Sequence, residues 1–202
     1  MERYDFVIVG GGPAGLAAAA TLASAKGHLP IMEDKRILVI DNGNSDLKRA
    51  QLRNFPAAEI GIEGPTLLEE MKNRVSSFEN VDLIEDTVVR IEGNDGDFTV
   101  KTESGREIKA SKLILATGFH KFTIEGLNVE VIPHQKAPRP GKIQLKVDEK
   151  LRAAPGVYVA GLLAGAQTMV AIAMGSGTEA ALNLLSDLVG KTVIIHDVLK
   201  KA

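Results

Sequence analysis

Three glycines near the start of the chain constrain its fold more than any other feature. They lie in VIVGGGPAGLAAA, residues 7–19, where Gly10, Gly12 and Gly15 follow a short apolar run and open an alanine-rich segment. At this spacing the first glycine permits a tight turn, the second lets the backbone approach a pyrophosphate, and the third lets a helix pack closely on a strand. We therefore predict a buried strand, a phosphate-binding turn and a helix whose N-terminus stabilises the anion.

A second apolar run, RILVID at residues 36–41, completes a strand–helix–strand unit and ends in a carboxylate. Asp41 lies somewhat farther from Gly15 than the usual separation of roughly 20 residues, and the intervening segment KGHLPIMEDK accounts for the excess. We expect Asp41 to accept hydrogen bonds from the hydroxyl groups of an adenosine ribose. The alternative is that the glycines serve loop geometry alone and that Asp41 ends an ordinary solvated strand.

The composition limits the classes of function. With 202 residues and 45% hydrophobic content, the chain is expected to form one compact domain, and its formal charge of -2 argues against nucleic acid as a partner. The absence of cysteine excludes thiol redox chemistry within the chain, and no histidine spacing suits a metal site. Because no apolar run resembles a signal peptide or a membrane span, we expect a soluble cytoplasmic protein with no membrane partner.

The remaining pattern indicates an α/β fold. Helices are predicted over Ala14–Ala25, Pro65–Phe78 and Thr168–Leu188, and buried strands over VDLIED and Gly156–Gly161. Residues 87–117 alternate between apolar and polar and are interrupted by GNDGD and ESGRE, which is typical of an antiparallel β-meander. The predicted fold class is a Rossmann-like FAD/NAD(P)-binding domain with a parallel central sheet, flanking helices and this meander.

Three further segments carry a resemblance to a known family. NFPAAEIGIEGPTLLEEMKNRV, LILATG and APGVYVAG followed by MGSGTEAA resemble, in order, the motifs of the FAD-binding half of the thioredoxin reductase-like pyridine nucleotide-disulfide oxidoreductases. The resemblance covers nearly the whole chain and implies a single FAD-binding domain over residues 1–202. Its parts would be a fingerprint half at 1–118, a short linker at 119–141 and a C-terminal FAD-completing segment at 142–202.

The resemblance also implies a set of cofactor contacts. The ATG motif would let the backbone pass close to FAD, and the backbone amides of Met169 and Val170, at the start of the last helix, would face the flavin pyrimidine and stabilise negative charge. That helix could alternatively be a buried packing helix. The predicted FAD-binding residues are Gly10, Gly12, Pro13, Ala14, Gly15, Asp41, Asn42, Asn54, Ala116, Thr117, Gly118, Gly161, Leu162, Thr168, Met169 and Val170.

The chain departs from this family at two places. The resembled reductases insert an NADPH-binding domain with a redox cysteine pair after ATG, but here only 23 residues, Phe119 to Gly141, precede the returning strand KIQLKVD. A strand–helix–strand unit alone needs about 30 residues, and this sequence holds no second GxGxxG. The family usually also has an aspartate on the FAD ribityl chain where this sequence has Leu162, which predicts weaker cofactor binding.

These features favour a small FAD-binding oxidoreductase that exchanges electrons with a separate partner protein or a diffusing substrate. A non-catalytic FAD-binding module of a larger complex and an NAD-binding Rossmann protein are the alternatives. We also expect a homodimer, because related reductases pair through their FAD domains.

Two groups of polar residues leave alternatives open. His120 is the candidate proton donor to the flavin, and an exposed hinge residue is the alternative. Basic residues of the linker-like stretch HQKAPRPGK could form a lid over an anion or remain a solvated linker; they are His134, Lys136, Arg139 and Lys142.

Overall fold

A computed structural model describes residues 1–196 and places an eight-stranded sheet at the centre of the protein. The strands of this sheet are β1 (Glu2–Val9), β2 (Ile37–Asp41), β5 (Val81–Glu85), β6 (Val88–Asn94), β7 (Asp97–Thr102), β8 (Glu107–Leu115), β11 (Arg152–Ala154) and β12 (Val157–Val159). Five of them are parallel and follow the order β12-β8-β1-β2-β5, while β11 pairs antiparallel with β12 at one edge.

Three α-helices cover one face of the sheet. They are α1 (Pro13–Ser24), α2 (Gly64–Ser76) and α3 (Val170–Val189), and their apolar side chains share one core with β1 and β2. Both α1 and α2 have proline in the first two helical positions, where a missing N–H costs nothing and the fixed φ favours the helix. Short 3₁₀ helices occur at Pro30–Met32, Asp46–Arg49 and Gly161–Ala164.

The meander covers the opposite face. Strands β6, β7 and β8 are antiparallel, as predicted; β8 also pairs in parallel with β1 and, beyond the end of β7, with β12. Strand β8 therefore connects the meander to the parallel strands of the sheet. A second apolar core lies under this face and includes Val7, Leu38, Phe98 and Leu113. The predicted fold class is confirmed.

Residues 119–147 fold back onto the meander side of the molecule. The returning strand is shorter than KIQLKVD, since only β10 (Ile143–Leu145) is extended, and it pairs with β9 (Val131–Pro133) instead of joining the central sheet. Buried Phe119, Ile124 and Leu145 attach this segment to the protein. The linker-like stretch is thus the connection of a β-hairpin whose base is held by apolar side chains.

The predicted helices and strands are present with small shifts at their ends. Helix α1 begins at Pro13 and α3 at Val170, compared with the expected Ala14 and Thr168. A further small sheet of β3 (Gln51–Leu52) and β4 (Ile62–Glu63) lies in a region with no predicted strand. It brackets the loop that contains Asn54.

Candidate functional site

The carboxyl ends of β1, β2, β8 and β12 meet at one edge of the sheet, where open α/β folds bind ligands. A cavity of about 390 Å³ lies at this edge, within the range of small-molecule sites. Its walls contain His120 and every predicted cofactor-binding residue except Gly15. Tertiary folding therefore brings together predicted residues from six stretches of the sequence, at positions 10–14, 41–42, 54, 116–118, 161–162 and 168–170.

The three glycines of the first turn have different surroundings. A Cβ on Gly10, whose φ is +115°, would lie 2.4 Å from the Ala116 carbonyl oxygen, and one on Gly15 would lie 1.9 Å from the Gly10 carbonyl oxygen. A Cβ on Gly12 would meet nothing closer than the Ser45 hydroxyl oxygen, at 3.4 Å. Gly10 and Gly15 thus permit close backbone packing, while Gly12 keeps the cavity beside the helix N-terminus free of side-chain bulk.

Asp41 is buried at the end of β2, with 5% of its surface exposed. Its carboxylate accepts hydrogen bonds from the Gly11 and Gly43 amides and forms an ion pair of 2.7 Å with Lys72 of α2. Burial by itself would raise the pKa of Asp41, but the hydrogen bonds from Lys72, Gly43 and Gly11 outweigh it and hold the pKa below its usual value. The residue is therefore ionised and ready to accept further hydrogen bonds.

A smaller cavity of about 180 Å³ extends the first one toward β6. The two share Gly10, Asn42, Asn44, Thr117 and His120, and the smaller one is lined in addition by Thr87 and Val88. Together they form an elongated cleft along the carboxyl edge of the sheet.

The start of α3 differs from the prediction in one respect. The Met169 amide donates to the Gln167 carbonyl over 2.8 Å, so it is not available to a ligand. Because the helix begins at Val170, the amides without an acceptor inside the helix are those of the first turn, Val170 to Ile172. Val170 keeps its predicted place at the cavity, whereas Met169 contributes its side chain, 4.0 Å from the Asn54 amide nitrogen.

Leu162 lies in the 3₁₀ turn after β12 and lines the cavity without supplying a polar group. Gly161, with φ of +67°, precedes it, and its amide donates to the Ser176 hydroxyl of α3 over 2.9 Å. This contact ties the turn to the last helix.

His120 connects two segments across the mouth of the cavity. Its Nε2 lies 2.7 Å from Asp46 and its Nδ1 lies 2.8 Å from the Lys142 ammonium group. Because an ammonium group can only donate, Nδ1 is the acceptor and the ring proton belongs on Nε2, facing the carboxylate. Both ring nitrogens are therefore engaged, which favours the connecting role over that of a proton donor.

His134 is buried, with 9% of its surface exposed, and so does not belong to an exposed basic lid. Its Nδ1 accepts from the Lys136 amide over 3.1 Å, and the carbonyl groups of Leu162 and Ala166 lie near the ring. Burial lowers the pKa of His134, which favours the neutral ring. The hairpin base is thereby packed beside the turn that carries Leu162.

Sequence reasoning missed much of the wall that follows β2. Cavity-lining residues not predicted there are Asn44, Ser45, Asp46, Leu47, Ala50, Gln51 and Leu52, and Gly11 of the turn after β1 was also not predicted. This segment has no helical or strand periodicity, and the only local signal was its run of turn-forming residues, DNGNSD. Lys72 was missed because its contact with Asp41 depends on where α2 packs.

Within residues 1–196, no group of three or more His, Asp or Glu side chains could hold a metal ion. No helix in that same range is long and apolar enough to cross a membrane.

Comparison with known proteins identifies the family. The model of the pyridine nucleotide-disulphide oxidoreductase family matches residues 4–144, so the chain belongs to that family. The thioredoxin reductases of Peptoclostridium acidaminophilum and Peptoclostridium litorale are 33% and 32% identical to it over 115 residues, or 57% of this chain. Those 115 residues are 34% of each relative, so the chain spans about a third of the length of the relatives it matches.

Solved structures show the same fold. A thioredoxin reductase from Gloeobacter violaceus superposes with a TM-score of 0.77 over 98% of this chain and 100% of that chain, at 16% identity. An oxidoreductase from Agrobacterium tumefaciens gives 0.73 over 95% of this chain and 100% of that chain, also at 16% identity. The resemblance expected from the sequence is confirmed, as is the Rossmann-like architecture.

The residues at the site fit a bound FAD at one end and depart from it at the other. The space beside Gly12, the first turn of α1 and ionised Asp41 would suit the pyrophosphate and the ribose of an adenine dinucleotide. At the end near α3, free helix amides are present but Leu162 supplies no carboxylate.

Proposed function

We propose that this chain binds FAD and acts as a small oxidoreductase that exchanges electrons with a separate partner protein or a diffusing substrate. The observation that carries this proposal is the single cleft that joins the glycine turn after β1 to the N-terminus of α3. An extended dinucleotide would have its pyrophosphate at the first site and its flavin at the second. Membership of a flavoprotein-type oxidoreductase family supports the choice of FAD.

Each part of the cleft has a defined task. The first-turn amides of α1 would bind the pyrophosphate, Asp41 would orient the adenosine ribose, and the amides of α3 from Val170 onward would stabilise negative charge on the pyrimidine ring. The ATG segment, Ala116 to Gly118, would pass close to the cofactor with little side-chain bulk. Bound FAD would supply reversible uptake and release of electrons.

His120 would organise the mouth of this cleft instead of transferring protons. Its Nε2 proton is held by Asp46, and its Nδ1 lone pair is held by Lys142. Direct protonation of a ligand would require one of these hydrogen bonds to break. No other residue is proposed as catalytic.

The electron donor or acceptor would come from outside the chain. Between ATG and β10 the chain forms only β9 and its flanking loops, which leaves no nucleotide-binding unit to hold a nicotinamide against the flavin. Hydride transfer depends on that proximity. We therefore propose a separate redox partner or a small substrate, and no nucleic acid or membrane partner.

A non-catalytic FAD-binding module is the second candidate, and Leu162 favours it. A leucine in place of an acceptor for the ribityl chain weakens the contact that fixes the reactive end of the cofactor. Repeated reduction and reoxidation of the bound flavin with turnover would exclude this candidate.

Identification of the cofactor is the decisive experiment. The purified protein, before and after incubation with FAD, would be examined for the visible absorption of a flavin, and the released nucleotide identified after denaturation. We expect FAD. A preparation that stays colourless after incubation would overturn the proposal, and release of NAD would establish the third reading, an NAD-binding Rossmann protein.

We further propose that the protein is a cytoplasmic homodimer. Partly exposed Met169 and Ile172 on α3 are apolar side chains that a partner subunit could cover. Sedimentation at high protein concentration should show a dimer, and a monomer alone would contradict it.

A further inference from the structure

Positive charge is concentrated in the segment that follows ATG. Residues 119–147 contain five Lys or Arg side chains and two carboxylates, Glu125 and Glu130, within a chain whose formal charge is -2. Both carboxylates are already paired, Glu125 with Arg90 and Glu130 with Lys146. Four cations of this segment therefore remain without a carboxylate among residues 1–196: Lys121, Lys136, Arg139 and Lys142.

This lack of pairing is unusual within the molecule. Most other Lys and Arg side chains of the described residues form ion pairs with Asp or Glu. Outside the segment, the exceptions in that range are Lys48, Arg53, Arg74 and Lys191. Lys48 and Arg53 lie in the segment after β2, next in sequence to the cavity-lining residues Leu47 and Leu52.

The hairpin lies beside the flavin end of the proposed site. The Gln144 side chain packs against Gly165, directly after the turn that carries Leu162, and His134 lies near the Leu162 and Ala166 carbonyls. On the other side, Lys142 reaches His120 at the cavity. Lys136 and Arg139 are exposed in the hairpin connection and do not line the cavity.

Neither cavity of the cleft is lined by a residue of the hairpin connection 134–142, so Lys136 and Arg139 are not placed to neutralise the pyrophosphate of FAD. Lys121 differs from them, because it lines the smaller cavity together with Gly10. Exposed, unpaired cations around a cleft instead attract an anionic partner and accelerate its association.

We propose that the β9–β10 hairpin, through its exposed cations Lys136 and Arg139, is the docking surface for an acidic electron-carrier protein. The proposal rests on the function proposed above, since the carrier would deliver electrons to bound FAD. Two molecules of a reduced one-electron carrier would each give up one electron, and the flavin would take up those two electrons together with two protons. Docking at the hairpin would bring the carrier to the flavin end without any nicotinamide domain.

The test measures binding directly. The probe is an acidic plant-type [2Fe–2S] ferredoxin, titrated into the FAD-loaded protein by calorimetry at low salt and at about 0.15 M salt, where the Debye length has fallen to ~8 Å. Cationic cytochrome c, another small redox protein, is the comparison. We expect ferredoxin to bind at low salt and to weaken as salt rises, and cytochrome c not to bind.

The variant Lys136→Glu/Arg139→Glu should weaken ferredoxin binding roughly tenfold or more. Arg74→Glu/Lys191→Glu is the matched control, because it reverses the same number of unpaired cations elsewhere and changes the net charge equally. The control should leave most of the affinity intact. Both variants should bind FAD as the unaltered protein does.

Several outcomes would overturn the proposal. The first two are that ferredoxin does not bind, or that cytochrome c binds equally well. The third is that the two double variants weaken ferredoxin binding equally. The fourth is that the hairpin variant loses affinity for FAD, which would assign the cations to the cofactor. The same titration is run on the apoprotein. Ferredoxin binding by a protein that takes up no FAD would contradict the proposed function while retaining the docking surface.

Discussion

Gly12 lies directly before α1 and Gly15 lies within it, and side chains at these two positions have different expected effects. We expect Gly12→Val to fold normally and to lose FAD binding, because its branched side chain occupies the path of the pyrophosphate while nothing in the protein lies closer than 3.4 Å to the new Cβ. Gly15→Ala should instead lower the free energy of unfolding by about 1–3 kcal/mol through overpacking, since its Cβ would lie 1.9 Å from a backbone oxygen.

Flavin fluorescence titration and urea unfolding distinguish the two effects. A Gly12→Val protein that still binds FAD would show that the pyrophosphate does not pass this turn. A Gly15→Ala protein of unchanged stability would contradict the close packing of α1 on β1.

Leu162 offers a gain-of-binding prediction. Leu162→Asp should tighten FAD binding about ten- to a hundredfold, because a hydrogen bond to a charged group contributes roughly 1.5–3 kcal/mol and each 1.4 kcal/mol is a factor of ten. Leu162→Asn is the matched control and should give a smaller gain, since it offers an uncharged acceptor. Affinity that is unchanged or weaker in Leu162→Asp would show that apolar contacts of leucine have replaced the ribityl hydrogen bond.

Asp41 predicts a pH dependence of stability. Its folded-state pKa is below the usual value, so its contribution is fully present above about pH 4 and is lost as the pH falls through the folded-state pKa. Asp41→Asn should therefore cost about 1–3 kcal/mol near pH 7 and progressively less in acid. Urea unfolding of both proteins between pH 7 and pH 3 checks this, and a pH-independent difference would contradict it.

At the scale of elements, the packing of α3 on α1 depends on Gly177. A Cβ at this position would lie 2.0 Å from the Ala14 carbonyl oxygen, whereas a Cβ on Gly175 in the same helix would meet nothing within 4 Å. Gly177→Ala should destabilise the protein by about 1–3 kcal/mol, and Gly175→Ala should stabilise it by about 0.5–1 kcal/mol through helix propensity.

Thermal unfolding of both variants tests this difference. The two substitutions add the same methyl group to one helix, so opposite shifts in Tm isolate the interhelical contact. Shifts of the same sign would show that α3 does not pack on α1 as described.

The β9–β10 hairpin and the turn after β12 are a second pair of elements that pack together beside the cleft. Ile124 and Leu145 belong to the apolar core under the meander, and the His134 ring lies beside the turn of Leu162. The segment therefore forms part of the structure around the cleft and holds Lys142 next to His120.

At the scale of the whole molecule, the arrangement predicts poor use of NADPH. Direct reduction of bound FAD by NADPH should be slow or absent, because residues 1–196 form no second phosphate-binding turn that could hold a nicotinamide against the flavin. Dithionite should still bleach the flavin, which serves as the control. Stopped-flow bleaching by NADPH at rates on the order of 10 per second, typical of enzyme turnover, would contradict this prediction.

The sequence by itself determined the nucleotide-binding unit and the fold class. The glycine spacing, the run ending in Asp41 and the alternation of residues 87–117 are local patterns, and each specifies its element through backbone sterics and periodicity alone. The cavity-lining residues could be anticipated where they follow such elements, because the carboxyl ends of parallel strands share one edge.

Only the tertiary structure decided the contacts between distant segments. His120 meets Asp46 although 74 residues separate them, and Lys72 of α2 pairs with Asp41 at the end of β2. The unpaired cations of the hairpin look like a solvated linker in the sequence. Periodicity carries no information about such pairs, since they depend on how apolar faces pack and which polar groups that packing leaves close together.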